Sequence, residues 1–303
     1  MPSPITTAGT RDAVLNLVNG AISVAKLEKR LITGLKVSSP DDDAKAYYKA
    51  FALSTRATDF SKRKYEIDQG ISNLKAGVDG SALANTILKQ MKGIINTVRT
   101  ADSTTRSALS SQFSDLTRQV NTAIHDSSFS GLNLVDNSSA TMTVYFNQIT
   151  TASLTVNASN LLASKLMTTM GTAASTGGLV ALGNMLQAAA GGTAIAGFSV
   201  LNSQAALSPA AVLDGVSARI DHGISRIRSV SALMSGSITF LQSRLNFTDD
   251  YMTTLNDGAG KLTNANLDED GAALACMLTR QQIGIQAVSI TSNQQSSMLQ
   301  LLH

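Results

Sequence analysis

Residues 213–262 read LDGVSARIDHGISRIRSVSALMSGSITFLQSRLNFTDDYMTTLNDGAGKL, without a proline. Every seventh residue of this stretch is apolar except one, a spacing typical of a helix that packs along another helix. A helix of about 50 residues is roughly 75 Å long, more than one compact core can cover. We therefore expect a second long helix, from this chain or from another copy, to bury this core helix seam. The seam positions are Leu213, Ile220, Ile227, Met234, Leu241, Thr248, Leu255 and Leu262.

The composition favours closely packed helices and argues against several classes of function. The chain has 303 residues, no Trp, 4% aromatic residues and four Pro. Its net charge is +3 with no basic stripe, which argues against a nucleic-acid partner. The single cysteine, Cys276, cannot form an intrachain disulfide, and we expect it to be a small buried side chain. The N-terminus lacks the apolar run and cleavage pattern of a secretory signal.

The N-terminal part of the chain is predicted to form long helices. Residues 1–10 contain two prolines and are expected to be disordered, and an amphipathic helical pattern covers residues 11–35. A second helix should begin at Pro40 or Asp41, because proline and acidic residues suit a first helical turn. It should run to about residue 98, and its glycines indicate close approach of a neighbouring helix or local bends. Its inward-facing residues are predicted to be Phe51, Ile67, Ile71, Leu74, Val78, Leu88, Met91, Ile95 and Val98.

The middle of the chain has a different chemistry. A further helix is expected to end near residue 125, before a polar loop. From Asn137 to the start of the seam, Lys165 is the only charged residue, and alternating apolar residues predict a β-hairpin within residues 141–156. Residues 179–201 are uncharged, but their amide and glycine residues make membrane insertion a poor interpretation. We expect residues 137–212 to form an exposed insert.

The C-terminal part is again helical. The seam helix should begin near Pro209 and be loosened at residues 257–260, where the sequence is Asp-Gly-Ala-Gly. A last helix follows from Leu267 almost to the end of the chain, with glutamines beside its apolar stripe. Helical patterns therefore occupy both ends of the chain, and a chain folded back on itself would pair them.

Several blocks at both ends resemble the bacterial flagellins. The resemblance is carried by TGLKVSSPDDDAKAYYKAFAL (Thr33–Leu53), DQGISNLKAGVDGSAL (Asp68–Leu83), FSGLNLV (Phe129–Val135), NANLDEDGAALACMLTRQQIGIQAVSI (Asn264–Ile290) and SMLQLL (Ser297–Leu302). These blocks occur in the family's order, and the closing blocks resemble alphaproteobacterial members in particular. The insert is outside the resemblance, and asparagines stand at positions 264 and 266 where the family usually has Asp.

The resemblance implies a mainly α fold and a division of the chain into five segments. The N- and C-terminal segments would form a long antiparallel helical bundle or coiled coil, with a short β-hairpin and a small variable insert between them. Residues 1–40, which would contain the export signal, and 264–303 would form the inner terminal coiled coil. Residues 41–136 and 213–263 would form the helical core, and 137–212 the surface-exposed insert.

The resemblance also implies the function of a structural, non-enzymatic subunit that polymerises into the flagellar filament for swimming motility. Its partners would be further copies of itself or other flagellins, the flagellar export apparatus and a secretion chaperone, and the filament cap and hook–filament junction proteins. The subunit would be extracellular, exported unfolded without a cleavable signal. We expect the terminal segments to be disordered in the monomer and to fold on assembly. The predicted self-assembly seam is Leu17, Leu31, Leu35, Ile285, Val288 and Leu299.

No catalytic, cofactor or metal site is predicted from the residues. The three histidines, His125, His222 and His303, are far apart in sequence, and none is near the cysteine. No zinc-binding His-Glu-x-x-His or complete phosphate-binding loop is present. Two alternatives stay open: a hook–filament junction protein, which has related termini, and a flagellin-like surface adhesin.

Overall fold

The computed structural model describes residues 8–137, 139–147, 152–168 and 209–301. The described residues are mainly helical, as the sequence predicts, with two small antiparallel strand pairs. The prediction of disorder is wrong for residues 8–10, which are helical, whereas residues 1–7 and the span 179–201 lie outside this part of the chain. The helices are α1 Ala8–Thr33, α2 Ala44–Val98, α3 Ser103–Asp126, α4 Ala163–Thr168, α5 Pro209–Thr263 and α6 Leu267–Leu301. The strands are β1 Ser128–Phe129, β2 Leu132–Asn133, β3 Thr141–Tyr145 and β4 Ser153–Asn157.

The chain divides into two compact units, one of residues 59–250 and one of residues 1–58 with 251–303. The first, which we call the core unit, has a continuous apolar core to which α2, α3, α5, α4 and both strand pairs contribute. The second, the terminal unit, contains α1 and α6. The five-segment division inferred from the sequence stays a prediction.

The side chains of the core helix seam lie on the buried face of α5. Seven of the eight positions, from Leu213 to Leu255, are buried, and Leu262 is partly buried. The hydroxyl of Thr248, the one polar seam residue, donates to the Arg244 carbonyl at 2.8 Å. A polar residue can therefore occupy the buried stripe without an unpaired donor.

The predicted break at residues 257–260 is wrong, because α5 continues to Thr263. The backbone hydrogen-bond ladder persists past the glycines: Asn264 N donates to the Gly260 carbonyl at 2.7 Å. A Cβ on Gly258 would lie 3.4 Å from Leu53 Cδ1, so a packed neighbour borders this turn. Two glycines cost about 1 kcal/mol each in a helix, and tertiary packing overrides that cost here.

Three ion pairs hold α2 and α5 in a single antiparallel register within the core unit. Lys64 pairs with Asp249 at 2.7 Å, Lys92 with Asp221 at 2.6 Å and Arg99 with Asp214 at 2.5 Å. From one pair to the next, the residue number of the basic partner rises by as much as that of its aspartate on α5 falls. Since such exposed pairs contribute only about 0–1 kcal/mol each, their main effect is to favour this register over shifted ones.

The glycines of α2 mark close contacts, as predicted, at three of the four positions. A Cβ on Gly70 would lie 2.7 Å from Val144 Cγ2, and one on Gly77 would lie 3.1 Å from Met234 Sδ. A Cβ on Gly80 would overlap the Ser127 side chain. Gly93 has open space around it. The neighbours are therefore β3, α5 and the end of α3, and not one partner helix alone.

The first strand pair lies before residues 137–212, and the second lies within the described part of that insert. The predicted hairpin is confirmed as β3 paired with β4, from Thr141 opposite Asn157 to Tyr145 opposite Ser153. The loop predicted after α3 is a short β-hairpin. Its strands β1 and β2 are joined by Ser130 and Gly131, with φ of 50° and 79°. Two consecutive positive φ values are typical of a type I′ hairpin turn.

The terminal unit is tied together where α1 ends. Lys36 N and Val37 N donate to the Thr263 carbonyl at 2.7 and 3.2 Å, and Ala265 N donates to the Gly34 carbonyl at 3.0 Å. Leu35 therefore lies beyond α1, in an isolated bridge with Asn264, and its prediction as a helical position is wrong. These bonds join the link before α2 to the link before α6.

The start of α2 differs from the prediction by a few residues. The helix begins at Ala44, where Asp43 Oδ1 accepts from Ala46 N at 3.0 Å, and Pro40 precedes the helix in a turn. Phe51 is 61% exposed, so its predicted inward position is also wrong. The acidic residues 41–43 do cap the helix, but through the third of them, Asp43.

Asp42 holds the turn before α2 together. Its Oδ2 accepts from Ser38 N at 3.1 Å, from Ser38 Oγ at 3.0 Å and from Ser39 N at 3.2 Å, and lies 3.8 Å from Lys29 Nζ. These interactions lower the pKa of Asp42 from 3.8 to about 2, and the hydrogen bond from the Ser38 amide has the largest effect. The ionised carboxylate is therefore the form that the folded turn prefers.

We predict that Asp42→Asn loosens this turn and removes part of its pH dependence. Because the folded pKa is below the unfolded one, the carboxylate stabilises the wild-type turn above about pH 4 and loses this effect as the pH falls towards about 2. Amide hydrogen exchange at residues 36–39 should be faster in the variant at neutral pH and should vary less with pH in that window. Asp41→Asn, at the exposed neighbour, is the control, and equal exchange in Asp42→Asn and wild type would contradict the prediction.

We also predict opposite effects for two glycine substitutions in α2. Gly70→Ala should destabilise the chain by about 1–3 kcal/mol, because the added methyl meets Val144 on a strand that cannot easily shift. Gly93→Ala, the matched control, should stabilise it by about 0.5–1 kcal/mol, because alanine favours the helix and meets nothing. Urea unfolding of the full chain followed by circular dichroism measures both. A stabilised Gly70→Ala would show that the contact is not close.

Candidate self-assembly surface

The two terminal helices pack against each other as an antiparallel pair, which we call the terminal pair. Near one end, Arg30 of α1 lies 3.6 Å from Asp270 of α6. About one dozen residues away, a Cβ on Gly284 would lie 3.2 Å from Leu17 Cδ1. Since the residue number rises along one helix as it falls along the other, the helices run in opposite directions. The pairing of the two chain ends that the sequence suggests is therefore present in this structure.

The predicted self-assembly seam is only partly brought together in one chain. Leu17, Leu31 and Val288 are partly buried, and Leu17 faces Gly284. Ile285 is 51% exposed, so most of its side chain has no cover within the chain. The side chain of Leu299 lies outside the described part. The role of these residues in assembly stays a prediction.

The terminal pair exposes an unusual amount of apolar surface. Among the side chains described in α1 and α6, Val24 alone is buried. Large apolar side chains are exposed to water on both helices. The contact between α1 and α6 leaves these side chains uncovered. Contiguous exposed apolar surface is often where a protein binds a partner, so this surface is a candidate interaction site. The exposed residues are Val14, Leu15, Val18, Ile22 and Ile32 on α1, and Leu267, Leu278, Ile283, Ile285 and Ile290 on α6.

A second exposed apolar row lies on α5 in the core unit, and the sequence analysis missed it. Leu233, Phe240 and Phe247 are 72%, 49% and 51% exposed, each one residue before a member of the buried seam. The Arg244 guanidinium lies 4.9 Å from the Phe247 ring centroid and 5.1 Å from that of Phe146. The same heptad count, started one residue earlier, would have found this row. It widens the apolar face of α5 beyond what the core covers.

The chemistry of the described residues offers no competing site. No group of three or more His, Cys, Asp and Glu able to hold a metal ion occurs among them. None of the helices in the described ranges is long and apolar enough to cross a membrane. Cys276 is exposed on α6, so the expectation of a buried cysteine is wrong.

By sequence, the chain is similar to bacterial flagellins. Residues 6–140 match the family model described as the bacterial flagellin N-terminal helical region. Flagellin FljM of Caulobacter vibrioides is 24% identical over 98% of this chain and 97% of its own length. Flagellin C of Rhizobium meliloti is 24% identical over 90% of each chain. The crystal structure of Bacillus cereus flagellin aligns with 60% of this chain and 88% of that one, at 15% identity and a TM-score of 0.44.

Proposed function

We propose that this chain, which belongs to the bacterial flagellin family, polymerises through its terminal pair into a flagellar filament that transmits motor torque for swimming. It is a structural subunit of that filament. The observation that carries this conclusion is the match to flagellins along nearly the whole chain, 98% of it for one relative. The mechanical role follows from the family, and the residues through which the copies hold together are our inference.

The terminal pair supports this proposal because it is incomplete within one chain. Fixing a residue's backbone costs about 1–2 kcal/mol, and α1 and α6 contain 26 and 35 residues. Burying a large apolar side chain returns about 1.5–3 kcal/mol only when its cover is complete. With most such side chains half exposed, contacts within one chain offset little of the ordering cost. We infer that the pair is stable only when neighbouring copies cover it, and that both ends are disordered in the free monomer.

The subunit reaches its place of assembly outside the cell by export through the flagellar apparatus. In this proposal a secretion chaperone keeps the ends from associating early. The filament cap and the hook–filament junction proteins lie at the two ends of the polymer. The single cysteine supports such a route, because a chain without an intrachain disulfide can pass through a narrow channel unfolded. The work of the protein is mechanical, and it has no catalytic step.

Seeded polymerisation tests the proposed function. Purified full-length chain, given filament fragments or precipitating salt, should form long filaments visible by electron microscopy. Proteolysis should cleave both ends in the dilute monomer and spare them in the filament, because assembly orders them. A chain that forms only short rings or caps would be a junction protein instead. Ends that resist protease in dilute monomer would contradict the ordering on assembly.

We further predict that Ile285→Asp abolishes filament formation without unfolding the core unit. Ile285 is 51% exposed in the single chain, so a charge there costs the monomer little, whereas burial by a neighbouring copy would leave that charge unpaired. Sedimentation of polymer and circular dichroism of monomer measure the two effects. Gln286→Asp, at the exposed polar neighbour, adds the same charge and is the control. Wild-type polymerisation of Ile285→Asp would show that this face stays in water.

A further inference from the structure

Asn19 and Gly20, in the middle of α1, form a dipeptide that occurs once in this chain. None of the other asparagines precedes a glycine. Asparagine followed by glycine is the pair most prone to lose its side-chain amide in water, because glycine has no Cβ to shield its backbone nitrogen from the asparagine Cγ. The sequence therefore singles out Asn19 among the asparagines for this spontaneous modification.

The surroundings of this dipeptide leave it accessible to water. The Asn19 side chain is exposed, and a Cβ on Gly20 would meet nothing within 4 Å. Asn16, about one turn earlier, is also exposed on α1 but is followed by a leucine. Both asparagines line the open groove between α1 and α6. Asn16 and Asn19 thus share a helix, an exposed side chain and a groove, and they differ in the residue that follows each of them.

The helix restrains the reaction for as long as α1 is formed. In an α-helix each amide donates to the carbonyl four residues earlier, so the Gly20 N–H is bonded to the Asn16 carbonyl. The Asn19 carbonyl accepts in turn from Ser23 Oγ at 2.9 Å. Loss of the amide requires the Gly20 nitrogen to give up its proton and the Asn19 backbone to rotate out of the helical region. The rate of modification therefore depends on how often this part of α1 opens.

We propose that Asn19 is a modification site that is open in the free subunit and protected in the filament. This inference rests on the proposed function, in which α1 is disordered until neighbouring copies cover it. In the free subunit the Gly20 nitrogen loses its proton and attacks Asn19 Cγ. The Cγ–Nδ2 bond breaks, ammonia leaves with a proton, and a cyclic succinimide forms. Water then opens the ring at either of its carbonyls, which gives aspartate or isoaspartate at position 19.

The isoaspartate product is incompatible with a continuous α1. Its main chain runs through the side-chain carbon, so one more atom enters the backbone before residue 20, and the helical hydrogen bonds that span this point lose their register. Leu17, which faces Gly284 of α6 in the close contact of the terminal pair, lies within one turn of that point. Isoaspartate at position 19 therefore disrupts the terminal pair and excludes the subunit from the filament. The modification limits how long a free subunit remains able to assemble.

Incubation of the two forms of the protein tests the site. Monomer and filament are kept at neutral pH, and their peptides are then analysed by mass spectrometry and by enzymatic methylation of isoaspartate. Asn19 should be converted at least tenfold faster in the monomer, and Asn16 should stay intact in both forms. Asn19→Gln keeps a side-chain amide but closes a ring far less readily, so it should show no conversion. An intact Asn19 in aged monomer, or equal conversion in both forms, would overturn the proposal.

Seeded growth from aged monomer tests the consequence for assembly. The new filaments should contain asparagine at position 19, and the isoaspartate form should stay in the supernatant. Aged Asn19→Gln monomer should polymerise as fresh monomer does. Incorporation of the isoaspartate form in proportion to its share of the mixture would overturn its exclusion. If fresh wild-type chain forms no filament, the proposed function fails, whereas normal filaments from a chain that keeps Asn19 intact refute only the modification.

Discussion

The apolar face of α5 is the constraint from which the core unit follows. A 55-residue helix with a seam at every seventh residue must be covered along that seam, and α2, which is also 55 residues long, supplies the cover. Glycines let β3, α5 and the end of α3 reach the backbone of α2, so the core closes around these helices. The ion pairs between Lys64, Lys92 and Arg99 and their aspartates then agree with a single register. Apolar burial provides the stability, and charge makes the alignment unique.

The terminal pair shows what happens when the same kind of seam is not covered. Its helices approach closely at Gly284, where an added Cβ would lie 3.2 Å from Leu17 Cδ1. Apolar side chains then remain on the other faces of both helices, from Val14 on α1 to Ile290 on α6. Apart from the exposed row on α5, the core unit packs its apolar residues around one centre, whereas the terminal pair leaves many of its large apolar side chains exposed. One sequence therefore contains a unit with a buried apolar core and a helix pair that leaves many of its apolar side chains exposed.

The sequence predicts the elements well and their exact contacts poorly. Heptad and alternating patterns found α2, α3, α5 and the β3–β4 hairpin, because each has a period that local chemistry imposes. The break at Gly258 and Gly260 was predicted from intrinsic propensity, which tertiary packing outweighed. The turn at Ser130 and the four bonds to Asp42 depend on backbone geometry that residue types only suggest. Exposure was the least predictable property: Phe51 and Cys276 were expected inside, because a pattern gives a face without saying whether anything covers it.

Exposed apolar side chains on the terminal pair are consistent with a long polymer that grows at its ends. If the ends of the chain are disordered until covered, a free subunit has no formed helix pair to offer another free subunit. At the end of an existing fibre the receiving surface is already folded, so only one partner must pay the ordering cost. Addition at an end is then favoured over new nuclei, in the same way that extending a helix is easier than starting one. The exposed apolar side chains of α1 and α6 fit this mechanism better than a large buried core would, because a pair stable alone would associate before it reached the fibre.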